Sequence, residues 1–162
     1  MNDETKSKLD AMFSKKEHDV NAAETRNQES RRDVDAFMAE FKELRTRVIR
    51  PVMEDISTYL KGRGHACEID EQEETPLPHR TRQNAEIRFW ITPNSDVATK
   101  TDSYPSIGFV AAVFGKKIMM DASTMHPGRG GSASSKGEYA VSQITVDLVE
   151  KKIAEAVADI FK

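Results

Sequence analysis

The longest regular pattern in the chain is helical. Between residues 34 and 60 apolar side chains fall at Val34, Phe37, Met38, Phe41, Leu44, Val48, Val52, Ile56, Tyr59 and Leu60. Steps of three and four keep them on one face of an α-helix, so the stretch predicts one long amphipathic helix starting near residues 31–33. Pro51 interrupts it, because proline has no amide to bond the Arg47 carbonyl and its ring crowds that carbonyl. The stripe nevertheless resumes at Val52, Met53 and Ile56, which predicts a kink and not an end. Gly62 and Gly64 predict the stop, since glycine tolerates the left-handed conformation that closes helices. Of the two segments joined at Pro51, residues 52–60 are expected to pack on the chain's own sheet. Residues 34–48 are expected to carry contacts to a second chain.

From His65 the period changes to two. Cys67 and Ile69 alternate with Glu68 and Asp70, and residues 84–92 set Ala85, Ile87, Phe89 and Ile91 against Glu86, Arg88 and Trp90. Both read as strands with one buried face. Residues 104–114 are apolar on both faces and predict a central strand. Gly115 and Lys116 predict a tight turn into a strand over 117–122. Strand character returns over 138–144, and Thr145 is placed to cap a last helix carrying Val146, Val149, Ile153, Ala156, Val157 and Ile160 on one side. The segments 72–83, 93–103 and 126–139 read as loops.

Successive strands without intervening helices imply an antiparallel arrangement. The expected fold is therefore α+β: an antiparallel meander of about five strands, with a long kinked N-terminal helix and a C-terminal helix packed on one face. Residues 1–33 form a charged arm, partly helical or disordered, and 34–162 a single domain. In the arm, apolar residues are sparse apart from Leu9, Met12 and Phe13, and acidic and basic residues alternate as on a solvated surface.

Charge and composition narrow the function classes. A net charge of -3 over 162 residues gives no general attraction to nucleic acid or to an anionic membrane. Cys67 is the single cysteine, so no internal disulfide can form. The first residues lack the apolar run of a signal peptide, and no stretch has the length of a membrane span, so a cytoplasmic setting is expected.

Candidate chemistry is thin. The segment 126–139 holds closely spaced glycines, and Gly130 and Gly131 with Arg129 and Lys136 are the weak candidate for an anion site, because convergent amides can cradle an anion. The P-loop ending and the dinucleotide fingerprint are both missing, so a plain connection between strands is the stronger reading. Arg45, Arg47 and Arg50, with His79, Arg80 and Arg82, could hold an acidic ligand if they converged, but neighbouring carboxylates favour ion pairs. His65 and Cys67 read as a satisfied histidine and a buried thiol. Asp121 and His126 are the candidates for an acid or base. No diagnostic catalytic, metal-ligating or cofactor motif is present, so no catalytic, metal or cofactor residue is assigned.

The second sheet face offers more. Trp90 points away from the core side of its strand, as do Val110, Ala112 and Phe114 on the next, which predicts an apolar patch covered either by the chain's own arm or a long loop or by a partner. With the arm and the upstream helix, this makes Leu9, Phe13, Phe37, Phe41, Trp90 and Phe114 the candidate interface residues. The leading expectation is a non-enzymatic protein-protein interaction or assembly module, homodimeric, acting as an adaptor or regulatory subunit. A small-molecule or anionic-ligand domain built on residues 126–139 and nearby arginines is the alternative.

Overall fold

A computed structural model describes residues 2–76 and 82–162. The fold is α+β, with a kinked N-terminal helix, a five-stranded antiparallel sheet and a C-terminal helix. Helix α1 covers Asp3–Leu44, a π-helical turn Arg45–Ile49, and α2 covers Arg50–Gly62. Strands β1 (Ala66–Gln72), β4 (Glu86–Thr92), β5 (Ser106–Ala112), β6 (Lys117–Ser123) and β7 (Ala133–Tyr139) form the sheet, in the order β1-β4-β5-β6-β7. Two short strands, β2 (Thr75–Pro76) and β3 (Arg82–Gln83), pair inside the segment expected to be a loop. Helix α3 spans Val146–Ile160, and the Thr145 hydroxyl accepts a hydrogen bond from the Leu148 amide at 3.2 Å, capping it as expected.

The helical run begins at Asp3, well before residues 31–33, where apolar spacing placed its start. Asn2 accepts from the Thr5 amide at 2.8 Å, and Glu4 pairs with Lys8 one turn on. This cap and charge pair support the helix start, in a segment with too few apolar residues for spacing to place it there. The chain divides into two compact units, Met1–Ala36 and Phe37–Lys162.

The kink at Pro51 takes a specific form. Just before the proline the hydrogen bonding widens, and the Arg50 amide donates to the Arg45 carbonyl five residues back. Such a bulge is where a helix absorbs a residue that has no amide to give.

One face of the sheet builds the core of the second unit. Ile87, Phe89 and Ile91 from β4, Ile107 and Phe109 from β5, and Ile118 and Met120 from β6 are buried against Met53 and Leu60 of α2 and Ile153 of α3. Phe37 and Phe41 join them, at 4% and 1% exposed. This corrects the expected division of labour along the helix. From residue 37 on, the upstream segment is part of the domain, because Phe37 and Phe41 are packed in the same core as Val52 and Leu60. The change of duty falls at residue 37 and not at Pro51. The core side of this helix is also pinned by charge: buried Arg45 pairs with Glu71 and Glu73 at the end of β1, and Arg50 bonds Glu71 at 2.8 Å.

A second correction concerns β7. It lies at 133–139, mostly inside the segment read as a loop, and of the stretch placed as a strand at 138–144 only Glu138 and Tyr139 belong to it, with a 3-10 turn following at Val141–Gln143. The strand is polar and almost wholly exposed because it is the edge of the sheet, with β6 on one side only. Edge strands need no alternation, so periodicity cannot find them.

Candidate functional site

Three surfaces could carry a function: the second face of the sheet, the glycine-rich hairpin, and the arm. The sheet face is centred on Arg88. Its guanidinium lies across β5, where Gly108 leaves room; a Cβ at Gly108 would stand 2.5 Å from Arg88 Nη2. Nη1 and Nη2 bond the two oxygens of Asp121 on β6 at 2.7 and 3.1 Å, while Nη2 also reaches Glu86 at 3.1 Å and Nη1 the Ser106 hydroxyl at 3.3 Å. Burial works to lower the Arg88 pKa, but the hydrogen bonds to Asp121 and Glu86 outweigh it and the net shift is upward. The guanidinium also lies 6.0 Å from the centre of the Trp90 ring, within cation–π range.

Around this arginine is an open cleft of about 600 Å³ that includes Trp90, Asp102, Ser106, Ser123 and Ser134. Three carboxylates, of Glu86, Asp102 and Asp121, line the cleft with one guanidinium whose donors are engaged by Glu86, Asp121 and Ser106, so the cleft carries excess negative charge and Arg88 is not available to an anion. The arginine thus ties β4 to β6 across the central strand. Gly108→Ala is expected to push the guanidinium off Asp121 and to destabilise the protein by about 1–3 kcal/mol, read from denaturant midpoints. An unchanged midpoint would show that Arg88 is not held there.

The expected apolar patch on this face is not formed. Register pairs Trp90 with Ser106 and Glu68, whereas Val110 pairs with Glu86 and Met119. Trp90 and Val110 are therefore at opposite ends of the face, with Arg88 and Asp70 between. Phe114, 102% exposed, lies past the end of β5 in the turn before β6. Lys100 bonds Glu68 at 2.8 Å and lies 3.6 Å from Asp70, which fastens the β4–β5 loop over β1. Strand-by-strand alternation identifies which face each residue takes but not which residues are neighbours along that face.

No protein-family model matches this chain, and no curated protein or solved structure is similar enough to match it.

Residues 126–130 form a closed turn. The His126 and Gly130 backbones bond each other at 2.9 and 3.1 Å, and the Arg129 amide also donates to the His126 carbonyl, at 3.1 Å. Two of the amides expected to converge on an anion are thus spent on the turn itself. Gly131 follows at φ 152°, with the Thr124 carbonyl oxygen 2.5 Å from where a Cβ would stand, so this glycine serves a close approach of two backbones. Arg129 and Lys136 are exposed, and Lys136 contributes to holding the Asp159 carboxylate below its usual range, behind the larger effect of the Lys162 hydrogen bond.

Arg45 and Arg50 converge, but on the chain's own Glu71, with Glu73 and Glu54 as their further partners, while Arg47 pairs with Glu43. His79 and Arg80 lie outside the described residues, as does the Arg82 side chain. His126 Nε2 meets the Ile160 carbonyl at 3.2 Å, tying the hairpin to the end of α3. His65 Nδ1 accepts from the Asn94 amide at 3.0 Å, and its ring packs on Phe161 with centroids 4.6 Å apart. Among the described residues no group of three or more carboxylate, histidine and cysteine side chains is arranged to hold a metal ion.

Cys67 is buried, and desolvation pushes its thiol up to about 11 against weaker opposite pulls from Lys61 and Ser57. Near neutral pH it is therefore a protonated, enclosed thiol. It is expected to resist Ellman's reagent in the native protein and to react fully once guanidinium unfolds the chain. Rapid stoichiometric labelling of the native protein would contradict this.

The arm differs from both other surfaces. Between residues 2 and 36 every side chain is exposed except Ala22 and Val34, which are half-buried. Met12 and Phe13 are each 67% exposed, and Leu9 and Val20 are exposed as well. Sequence spacing singled out Leu9 and Phe13 and set Val20 and Ala23 aside as too sparse to bury a face alone. The other named interface residues divide differently: Phe37 and Phe41 are core, and Trp90 and Phe114 are far apart.

Proposed function

We propose that this protein is a non-enzymatic assembly module, an adaptor or regulatory subunit, that forms a homodimer through its helical arm. The supporting observation is the arm itself: a solvated helix with Leu9, Met12, Phe13 and Val20 exposed on it. Helices in proteins draw most of their stability from burying an apolar face, and exposed aromatic and methionine side chains at helical spacing are the usual material of interfaces. Fewer than ten such residues over this length cannot form a core alone, but they can form half of one. Asp121 and His126 are each engaged in a structural contact and the Cys67 thiol is buried, which favours a binding role over catalysis.

No described helix is long and apolar enough to cross a membrane. A cytoplasmic setting fits the lone reduced thiol. The anionic-ligand alternative, drawing on Arg129, Lys136, Gly130 and Gly131, has less support, because the Arg129 and Gly130 amides already bond within their own turn. Light scattering on the full chain at micromolar concentration tests the assembly reading: a dimer is expected, and a monomer throughout that range would overturn it.

A further inference from the structure

The arm carries a second regularity beneath its alternating charge. From Leu9, steps of four and three lead through Phe13, Lys16 and Val20 to Val34, which is the spacing of a two-stranded coiled-coil seam. The same steps continue to Phe37 and Phe41, but those are buried in the core of the second unit, so the seam open to a partner ends at Val34. Resting on the dimer reading above, we infer that two copies pair through their arms antiparallel, with Leu9 of each chain against Val34 of the other. Phe13 then meets Ser30, Lys16 meets Asn27, and Val20 meets Ala23.

Charge selects this arrangement over its competitors. A parallel, in-register pair would set the two Lys16 ammonium groups against each other inside the seam. Its flanking positions would bring Asp19 beside Glu24 and Arg26 beside Arg31, like charges in both cases. Reversing one chain removes all three conflicts. Lys16 can donate to the Asn27 side-chain oxygen, so the one wholly polar layer satisfies itself. The flanks now set Asp19 beside Arg26 and Asp10 beside Arg31, each occurring twice by symmetry, against a single repulsive type, Glu17 beside Glu24. Sliding the antiparallel pair by one heptad towards the domains loses this again, since Asp19 then meets Asp33 and the two Arg26 side chains meet each other. The contact is isologous and closes as a two-fold dimer, and both ends of the seam finish on an apolar Leu9–Val34 layer. A layer polar on both sides, such as Lys16 with Asn27, is the kind of feature that fixes register in coiled coils.

Cysteine pairing reads orientation directly. In the antiparallel pair the two Asn27 positions are about 16 Å apart along the axis, as are the two Lys16 positions, beyond the about 7 Å between Cα atoms that a disulfide can bridge. Lys16 and Asn27 of opposite chains are adjacent. Full-length Lys16→Cys and Asn27→Cys chains, oxidised separately and as an equal mixture, are therefore expected to give a disulfide-linked dimer in the mixture only, joined at positions 16 and 27. Sedimentation of the unsubstituted chain is run beside them. Linkage of either variant to itself would overturn the antiparallel arrangement while leaving a dimer, and so would a sedimenting dimer with no linkage in any sample. A monomer in sedimentation would overturn the dimer reading and this inference together.

Discussion

Phe109→Ala is expected to cost about 3–5 kcal/mol of folding stability, the range for removing a buried aromatic side chain and leaving a cavity. Phe109 is 1% exposed on β5, the middle strand of the sheet, and pairs with Ile87 on one side and Met120 on the other. Both neighbours are themselves fully buried, so the space cannot collapse without moving strands on either side. Domains of this size are stable by about 5–15 kcal/mol, so the variant would lose a large share of its margin. Trp90 is the single tryptophan and sits on the adjacent strand, which makes its fluorescence in a denaturant titration a report on the sheet and not on the arm. Phe114→Ala supplies the contrast. The same side chain is removed from full exposure beyond the end of the strand, and a change within about 0.5 kcal/mol is expected. Equal losses at the two positions would contradict the placement of the core.

Phe13→Glu carries the second large effect, on assembly and not on folding. Phe13 lies in the Met1–Ala36 unit, 67% exposed, so replacing it disturbs no packing inside the single chain. In a dimer formed through the arms it would be buried twice, once from each copy. Burial of a large apolar side chain is worth about 1.5–3 kcal/mol, and the substitution also adds a carboxylate close to Glu17. A loss above about 3 kcal/mol corresponds to more than a hundredfold weaker association. The variant is expected to sediment as a monomer at concentrations where the unsubstituted chain is a dimer, with its denaturant midpoint for Trp90 fluorescence unchanged. An unaltered dimer would move the contact away from the arm.

Much of the fold was legible in the sequence, for reasons visible in particular residues. Strand β4 could be read because Ala85, Ile87, Phe89 and Ile91 face the core and their neighbours do not. Strand β5 could be placed centrally because Ser106, Ile107, Gly108 and Phe109 are buried in succession. Pro51 announced a kink by its missing amide. Residues 133–137 escaped because an edge stretch of alanine, serine, lysine and glycine buries no large apolar side chain, and the full extent of helix over 3–30 escaped because its few apolar residues do not build a buried stripe.

The candidate surfaces were less legible, because neighbourhood across a sheet depends on register. Trp90 and Phe114 share an outward face by alternation, yet pairing sets Trp90 against Ser106 and leaves Phe114 in a turn. Arg88 looked like one of many solvated charges. Its role in tying Glu86 to Asp121 over Gly108 needed three strands in register before it could be seen. Phe37 and Phe41 have the same spacing as Leu9 and Phe13, and only the fold separates core from surface among them.

The central claim, that the exposed arm is an assembly contact, is tested most directly by sedimentation equilibrium of the full chain beside Phe13→Glu over a micromolar concentration series. The expected result is a species of twice the 18.2 kDa chain mass for the unsubstituted protein and a single chain for the variant. The same mass for both proteins, whether one chain or two, would contradict it.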